Sequence, residues 1–175
     1  MERKRNPCSL ANRMASPVGG GRIITIIMAN TYVVNDIHII FRTKAETPIL
    51  ADDLVRLHKY IGGIVKGLGS VLIEVGGMPD HVHLLCSLPK TTSLSDFVRS
   101  IKAESSHWIK SINCHYYGSF AWQEGYGAFS VSASVVKKTI EYIRNQREHH
   151  KVVSFMNEYK SFLNAYKIDY DERYL

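Results

Sequence analysis

The chain has 175 residues, of which 45% are apolar and 22% charged, and its formal net charge is +6. That length suits one domain built round one core, and no apolar run approaches the ~20 residues of a membrane-spanning helix. Three widely spaced cysteines, Cys8, Cys86 and Cys114, exclude a disulfide framework and a zinc-binding pattern, and fit a reducing cytoplasm.

Residues 1–27 contain Pro7, Pro17 and Gly19-Gly20-Gly21, show neither helical nor strand period, and carry +4 of the net charge. They read as a disordered or non-native basic extension, with Met28 as a candidate native start. Arg22 interrupts any apolar segment that could serve as a secretory signal. Residues 28–175 read as a single domain. Within them the positive charge collects in 81–151, which sums to +4 while 28–80 and 152–175 each sum to −1. That distribution fits a phosphate-facing surface and equally a solvated basic face.

Tyr32 to Phe41 is rich in β-branched and aromatic residues and is predicted to be a strand. From Asp52 or Asp53 to Leu68, apolar Leu54, Leu57, Ile61, Ile64 and Leu68 recur every three or four residues, which predicts a helix with acids at its positive end. Val71 to Val75 is a second strand, the Gly76–Asp80 segment turns the chain, and His81 to Leu88 returns as a third. A second helix follows Pro89, with Ser93 and Asp96 resembling a capping box. Its apolar face runs through Leu94, Phe97, Val98, Ile101, Trp108 and Ile112.

Cys114 to Gly127 reads as loop plus a short strand, and Ala128 to Val131 as the fourth strand. Ser132 or Ser134 would cap a third helix running to about His149. A fourth helix is expected from Phe155 to Tyr166, with Phe155, Tyr159, Phe162, Leu163 and Tyr166 on one face. The order β-α-β-β-α-β-α-α predicts an α+β fold, a ferredoxin-like sandwich with helices packed on an antiparallel sheet.

Chemistry concentrates in two places. His81 and His83 alternate with Val82 and Leu84 along a strand, so both imidazoles project from one face with α-carbons roughly 6–7 Å apart. Two imidazoles so placed can share one metal ion, and burying them unpaired would be costly. On the third predicted helix, at about 100° per residue, Val136, Ile140 and Ile143 face the core. Lys138, Tyr142, Asn145, Gln146 and His149 fall on another stripe, where Tyr142 and Gln146 are neighbours four apart.

A phenolic oxygen can attack a phosphodiester and store its bond energy as a phosphotyrosine. It needs help, since free tyrosine has a pKa of ~10, and a divalent ion near the phosphate would supply it. His81, His83 and the Gln146 side-chain oxygen offer three neutral ligands. Imidazoles suit transition metals, while an amide oxygen and open positions tolerate magnesium or manganese.

With these segments in place the chain resembles the single-tyrosine His-hydrophobic-His (HUH) transposases of IS200-like insertion sequences. It is also similar to their relatives associated with repetitive extragenic palindromes (REP). The resemblance runs from about Tyr32 to Leu175. It rests on Met78-Pro79-Asp80-His81-Val82-His83-Leu84-Leu85, Phe97-Val98-Arg99-Ser100-Ile101-Lys102 and the segment from Trp122 to Val131. Tyr142-Ile143-Arg144-Asn145-Gln146 and the tail Tyr170 to Leu175 complete it.

The resemblance implies His81 and His83 as metal ligands, Gln146 as the third, Tyr142 as nucleophile, and magnesium or manganese as the metal. The implied substrate is single-stranded DNA with a hairpin near the element ends, cut to a 5′-phosphotyrosine and a free 3′-hydroxyl without ATP. It further implies a homodimer in which the Tyr142 helix can complete the partner's site, working in the bacterial or archaeal cytoplasm on the nucleoid. Residues 1–27 have no counterpart in it.

Lys138, Lys102 and Arg144 are candidate DNA phosphate contacts, with Lys110, Lys137 and Arg147 behind them. Trp122 could stack on an unpaired base or pack in the core; packing is expected of Phe129. His149 and His150 could lie near the site but read first as surface residues, and His38, His58, His107 and His115 have no constellation around them. Rolling-circle initiators and relaxases share the His-hydrophobic-His pattern. Such initiators carry a lysine four residues after the tyrosine, where this chain has Gln146, and relaxases use a third histidine. A domesticated single-strand endonuclease, a metal-dependent hydrolase and a non-enzymatic nucleic-acid binder are the remaining alternatives.

Overall fold

The structure is a computed structural model that describes residues 32–44 and 48–175; the predicted extension at 1–27 lies outside the described residues. Four strands form one antiparallel sheet in the order β2-β3-β1-β4: β1 Asp36–Arg42, β2 Val71–Met78, β3 His81–Ser87 and β4 Gly127–Ser130. With a helix between β1 and β2 and another between β3 and β4, this is the ferredoxin-like arrangement the sequence predicts.

β1 starts at Asp36, later than the predicted Tyr32. Its neighbours run out at that point: Asp36 pairs with Ser87 at the end of β3, and Ile37 with Ser130 at the end of β4. Further back, the Asn35 carbonyl accepts from Leu88 N. β2 runs on past Val75 to Met78, because Gly76, Gly77 and Met78 stay in register with His83, Val82 and His81. The turn thus shrinks to Pro79-Asp80. Gly77 has φ 139°, and a Cβ there would lie 2.3 Å from the His81 carbonyl oxygen, so only glycine fits beside this strand.

One face of the sheet carries Ile37, Ile39, Phe41, Val82, Leu84 and Cys86. It is covered by α1 (Ala51–Gly67) and α2 (Leu94–Ile112), which insert Leu57, Ile61, Val65, Phe97, Val98 and Ile101. The predicted cap of α2 forms, with Ser93 Oγ accepting from Asp96 N at 3.1 Å. The segment expected to be loop holds a short helix, α3 (Cys114–Tyr117), which drives Tyr117 fully into the core. The short strand expected there reduces to a bridge between Thr43 and Trp122.

The other face carries His38, Ile40, His81, His83, Leu85 and Phe129, as strand alternation and register require. Three helices cover it: α4 (Val136–Arg144), α5 (Gln146–His149) and α6 (Phe155–Ala165). The expected serine cap of α4 is absent. Val135 occupies the cap without a side-chain bond, while Ser132 and Ser134 bond each other at 2.9 Å. Nor is α4 continuous to His149; it breaks at Asn145, and α5 turns Gln146 inward to 2% exposure. Among the described residues, no helix is long and apolar enough to cross a membrane.

Candidate active site

β3 delivers His81 and His83 to the second face, both essentially without solvent contact. Each ring is anchored on its outer nitrogen. His81 Nδ1 lies 2.8 Å from Asp80 Oδ1, which holds the Asp80 carboxyl below the usual range, and His83 Nδ1 lies 2.9 Å from His38 Nε2. Burial lowers the pKa of His83 against the pull of the Glu158 carboxylate, and burial with His83 alongside pushes His38 down to about 3.

The inner nitrogens converge on Glu158 of α6. His83 Nε2 lies 3.4 Å and His150 Nε2 3.3 Å from Glu158 Oε2, and His149 Nε2 lies 3.5 Å from Oε1. His81 Nε2 faces Gln146 Oε1 at 3.3 Å. Gln146 Nε2 donates to Glu158 Oε1 at 2.9 Å, and the Tyr142 hydroxyl donates to the same oxygen. Burial opposes charge on Glu158, but His83, Tyr142 and Gln146 together hold its carboxyl well below the usual range. Burial and this carboxylate push the Tyr142 phenol up, so it stays protonated in this arrangement.

Buried polar atoms normally have partners. Here His83 Nε2, His149 Nε2, His150 Nε2 and Glu158 Oε2 are buried and make no hydrogen bond. One ligand atom from each of His81, His83, His150 and Glu158 lies within 4.8 Å of the others. Orphaned imidazole nitrogens and a carboxylate oxygen aimed at one point fit a metal ion, and the anchored outer nitrogens are the usual support of metal-ligating histidines.

The structure thus brings together His81, His83, Tyr142 and Gln146. Close to Tyr142, exposed Lys138 lines a cleft of about 450 Å³ with His38, Phe162 and Tyr166. The remaining candidates lie elsewhere. Lys102 donates to the Gln123 carbonyl at 2.9 Å and to that of Gly125, tying down the 121–126 loop. Arg144 Nε bonds Glu74 Oε2 at 2.6 Å at the surface. Trp122 is 7% exposed, its indole nitrogen donating to Ser105 Oγ at 2.9 Å and its ring packed edge-on against Phe41. That geometry is the packing role and leaves almost no indole surface for a base. Phe129 packs in the core as expected.

Two residues of the constellation, His38 and Glu158, were not expected there, and His150, which the sequence allowed near the site, reads from it first as a surface residue. His38 shares its face of β1 with apolar Ile40, and a lone imidazole among isoleucines was the available signal. Glu158 falls on the apolar stripe of α6, between Phe155 and Phe162, where an unpaired carboxylate would be costly. His150 is 7% exposed on its side chain because it lies beyond the break at Asn145, where helical periodicity no longer predicts direction.

A tyrosine thus lies beside a buried histidine pair on a ferredoxin-like sheet, and the comparisons put a chain of this fold among the transposases. The profile of the family described as Transposase IS200 like matches residues 31–146, and the chain belongs to this family. Among relatives, it is 26% identical over 116 residues to the ISDra2 transposase TnpA of Deinococcus radiodurans, covering 63% of this chain and 83% of that one. A solved structure of a candidate transposase from Deinococcus radiodurans R1 aligns with TM-score 0.53 and 28% identity, over 67% of this chain and 95% of the other. A REP-associated tyrosine transposase bound to a REP hairpin aligns with TM-score 0.53 over 71% of this chain and 74% of its own. At 15% identity that likeness bears on the fold alone.

Proposed function

We propose that this transposase cuts and rejoins single-stranded DNA through a covalent 5′-phosphotyrosine at Tyr142. The observation that carries the reading is that the Tyr142 hydroxyl and the inner faces of His81, His83 and Gln146 meet round one buried point. His81 and His83 would hold a divalent ion, magnesium or manganese, with the Gln146 oxygen beside them. Such an ion, when bound, neutralises phosphate charge and polarises the phosphoryl group.

In the cut, the Tyr142 oxygen forms a bond to phosphorus and the bond from phosphorus to the 3′-oxygen breaks. The phenolic proton has an acceptor in place, Glu158 Oε1, and the departing 3′-oxygen takes a proton from water. In rejoining, a 3′-hydroxyl attacks the phosphotyrosine and Tyr142 recovers a proton, so the bond count is conserved without ATP. Lys138, exposed and lining the cleft beside Tyr142, would meet the DNA backbone. A hairpin near the element ends and a homodimer complete the proposed partners. Tyr142 lies against the histidines of its own chain, so a dimer need not exchange this helix to complete a site.

The test is a denaturing gel of the protein with both single strands and the duplex from its gene's flanks, plus magnesium or manganese. A protein band carrying DNA, formed only on a single strand and absent with Tyr142→Phe, is the expected result. Cleavage without an adduct would replace the reading with hydrolysis.

A further inference from the structure

The family match ends at residue 146, yet two of the groups that close round the histidine pair come from beyond it. We propose that His150 and Glu158 are metal ligands of this chain, making a three-imidazole, one-carboxylate centre that prefers manganese and similar transition ions to magnesium. The inference rests on the metal-assisted reading above and specifies the ligands and the ion.

Four observations carry it. First, one ligand atom each from His81, His83, His150 and Glu158 lies within 4.8 Å of the rest, close enough to share one ion. Second, Glu158 Oε2, His83 Nε2 and His150 Nε2 are buried and make no hydrogen bond, although each nitrogen lies only 3.3–3.4 Å from that oxygen. Third, His150 is prepared as the other two histidines are. Its Nδ1 lies 2.8 Å from the Val153 carbonyl oxygen, which fixes that nitrogen as the N–H and leaves Nε2 as the lone-pair donor aimed inward. Fourth, Gln146 is already engaged. Its amide nitrogen donates to Glu158 Oε1 and so fixes that carboxylate, while its oxygen faces His81 Nε2, the lone-pair nitrogen of a ring whose Nδ1 is held by Asp80, and so lies beside the ion position with the other donors.

The donor chemistry then selects the ion. Magnesium favours carboxylates and water and keeps most of its hydration shell, whereas neutral imidazoles favour first-row transition ions. Three imidazoles and one carboxylate leave manganese, cobalt or zinc well matched and magnesium poorly matched. The two oxygens of Glu158 divide the work, Oε2 facing the ion position and Oε1 receiving Tyr142 and Gln146.

The experiment is isothermal titration of the full chain, stripped with chelator, with manganese chloride and separately with magnesium chloride. Pulsed electron paramagnetic resonance of the bound manganese then counts coordinated imidazole nitrogens. Wild type is expected to bind manganese at least about tenfold more tightly than magnesium, with three imidazoles. His150→Ala should retain two, and His150→Ala and Glu158→Gln should each weaken binding by about tenfold or more. Circular dichroism and a cooperative melt establish that each variant is folded, with His150→Gln and Glu158→Ala as the replacements for one that is not.

Manganese binding equal to wild type in His150→Ala and in Glu158→Gln, but lost in His81→Ala, would overturn this inference and leave the metal-assisted reading standing. Equal affinity for the two ions would overturn the claimed preference. Manganese binding that survives His81→Ala and His83→Ala would overturn the metal-assisted reading itself.

Discussion

The Tyr142 hydroxyl donates to Glu158, sixteen residues further along the chain and on a different helix. The nucleophile is thereby tied to the same carboxylate that faces His83 and His150. Tyr142→Phe removes the hydroxyl and keeps the ring in its place beside His83 and Phe162. We expect strand cleavage to fall to background while affinity for a single strand changes less than about twofold. Stability should fall by only about 1 kcal/mol, since Gln146 still donates to Glu158. Equal cleavage rates for the variant and wild type in a single-turnover assay would remove Tyr142 from the chemistry.

Because Tyr142 meets its own chain's histidines, defects in the two halves of the site should not complement each other. A mixture of Tyr142→Phe and His83→Ala chains, refolded together, is expected to stay inactive on a single-stranded flank. Recovery of about a quarter to a half of wild-type cleavage would show that the tyrosine works in the partner's site.

Gly76 sets how closely α4 approaches the sheet. A Cβ there would lie 2.7 Å from the Ile143 backbone oxygen and 2.8 Å from its Cγ2. Gly76→Ala must push the helix, and Tyr142 with it, away from the histidines. We expect a loss of about 1–3 kcal/mol in urea unfolding and a larger fall in cleavage than in DNA binding. Gly63→Ala, inside α1 with nothing within 4 Å of the new methyl, should instead raise stability by about 0.5–1 kcal/mol.

Burial lowers His58 of α1 from its ordinary 6.5 to about 4, and its Nε2 has no hydrogen-bond partner. Between those values the unfolded chain binds a proton that the folded chain refuses, so stability rises with pH there. The contribution is complete above about 6.5 and disappears as pH falls through about 4. His38, lowered to about 3 by burial, acts in the same direction. Melting temperatures of metal-free protein should therefore drop between pH 7 and pH 4.5, and His58→Gln should make the slope shallower. An unchanged slope would assign the acid sensitivity to other groups.

Most of the fold was legible because each element carries its own period. Alternation marked β3, the three-and-four spacing of Leu57, Ile61 and Ile64 marked α1, and Ser93 marked the start of α2. The limits of β1 and β2 were not legible, because a strand extends as far as its neighbours offer partners, and Gly76 and Gly77 read as a turn until paired with His83 and Val82. Sequence makes Lys102 a candidate phosphate contact; the carbonyls of Gln123 and Gly125 that hold it instead belong to a loop more than twenty residues away.

By itself the sequence determined which face His81 and His83 share and that Tyr142 and Gln146 lie four apart, since both follow from local backbone period. Only the tertiary structure decided what surrounds them. His38 reaches His83 through the pairing of β1 with β3. Glu158 and His150 reach the centre because the chain breaks at Asn145 and folds α6 back over the sheet. Contacts between distant segments depend on where helices cross and strands pair, and no local period encodes those positions. A lone carboxylate on an apolar stripe acquires its reason only when three imidazoles are packed against it.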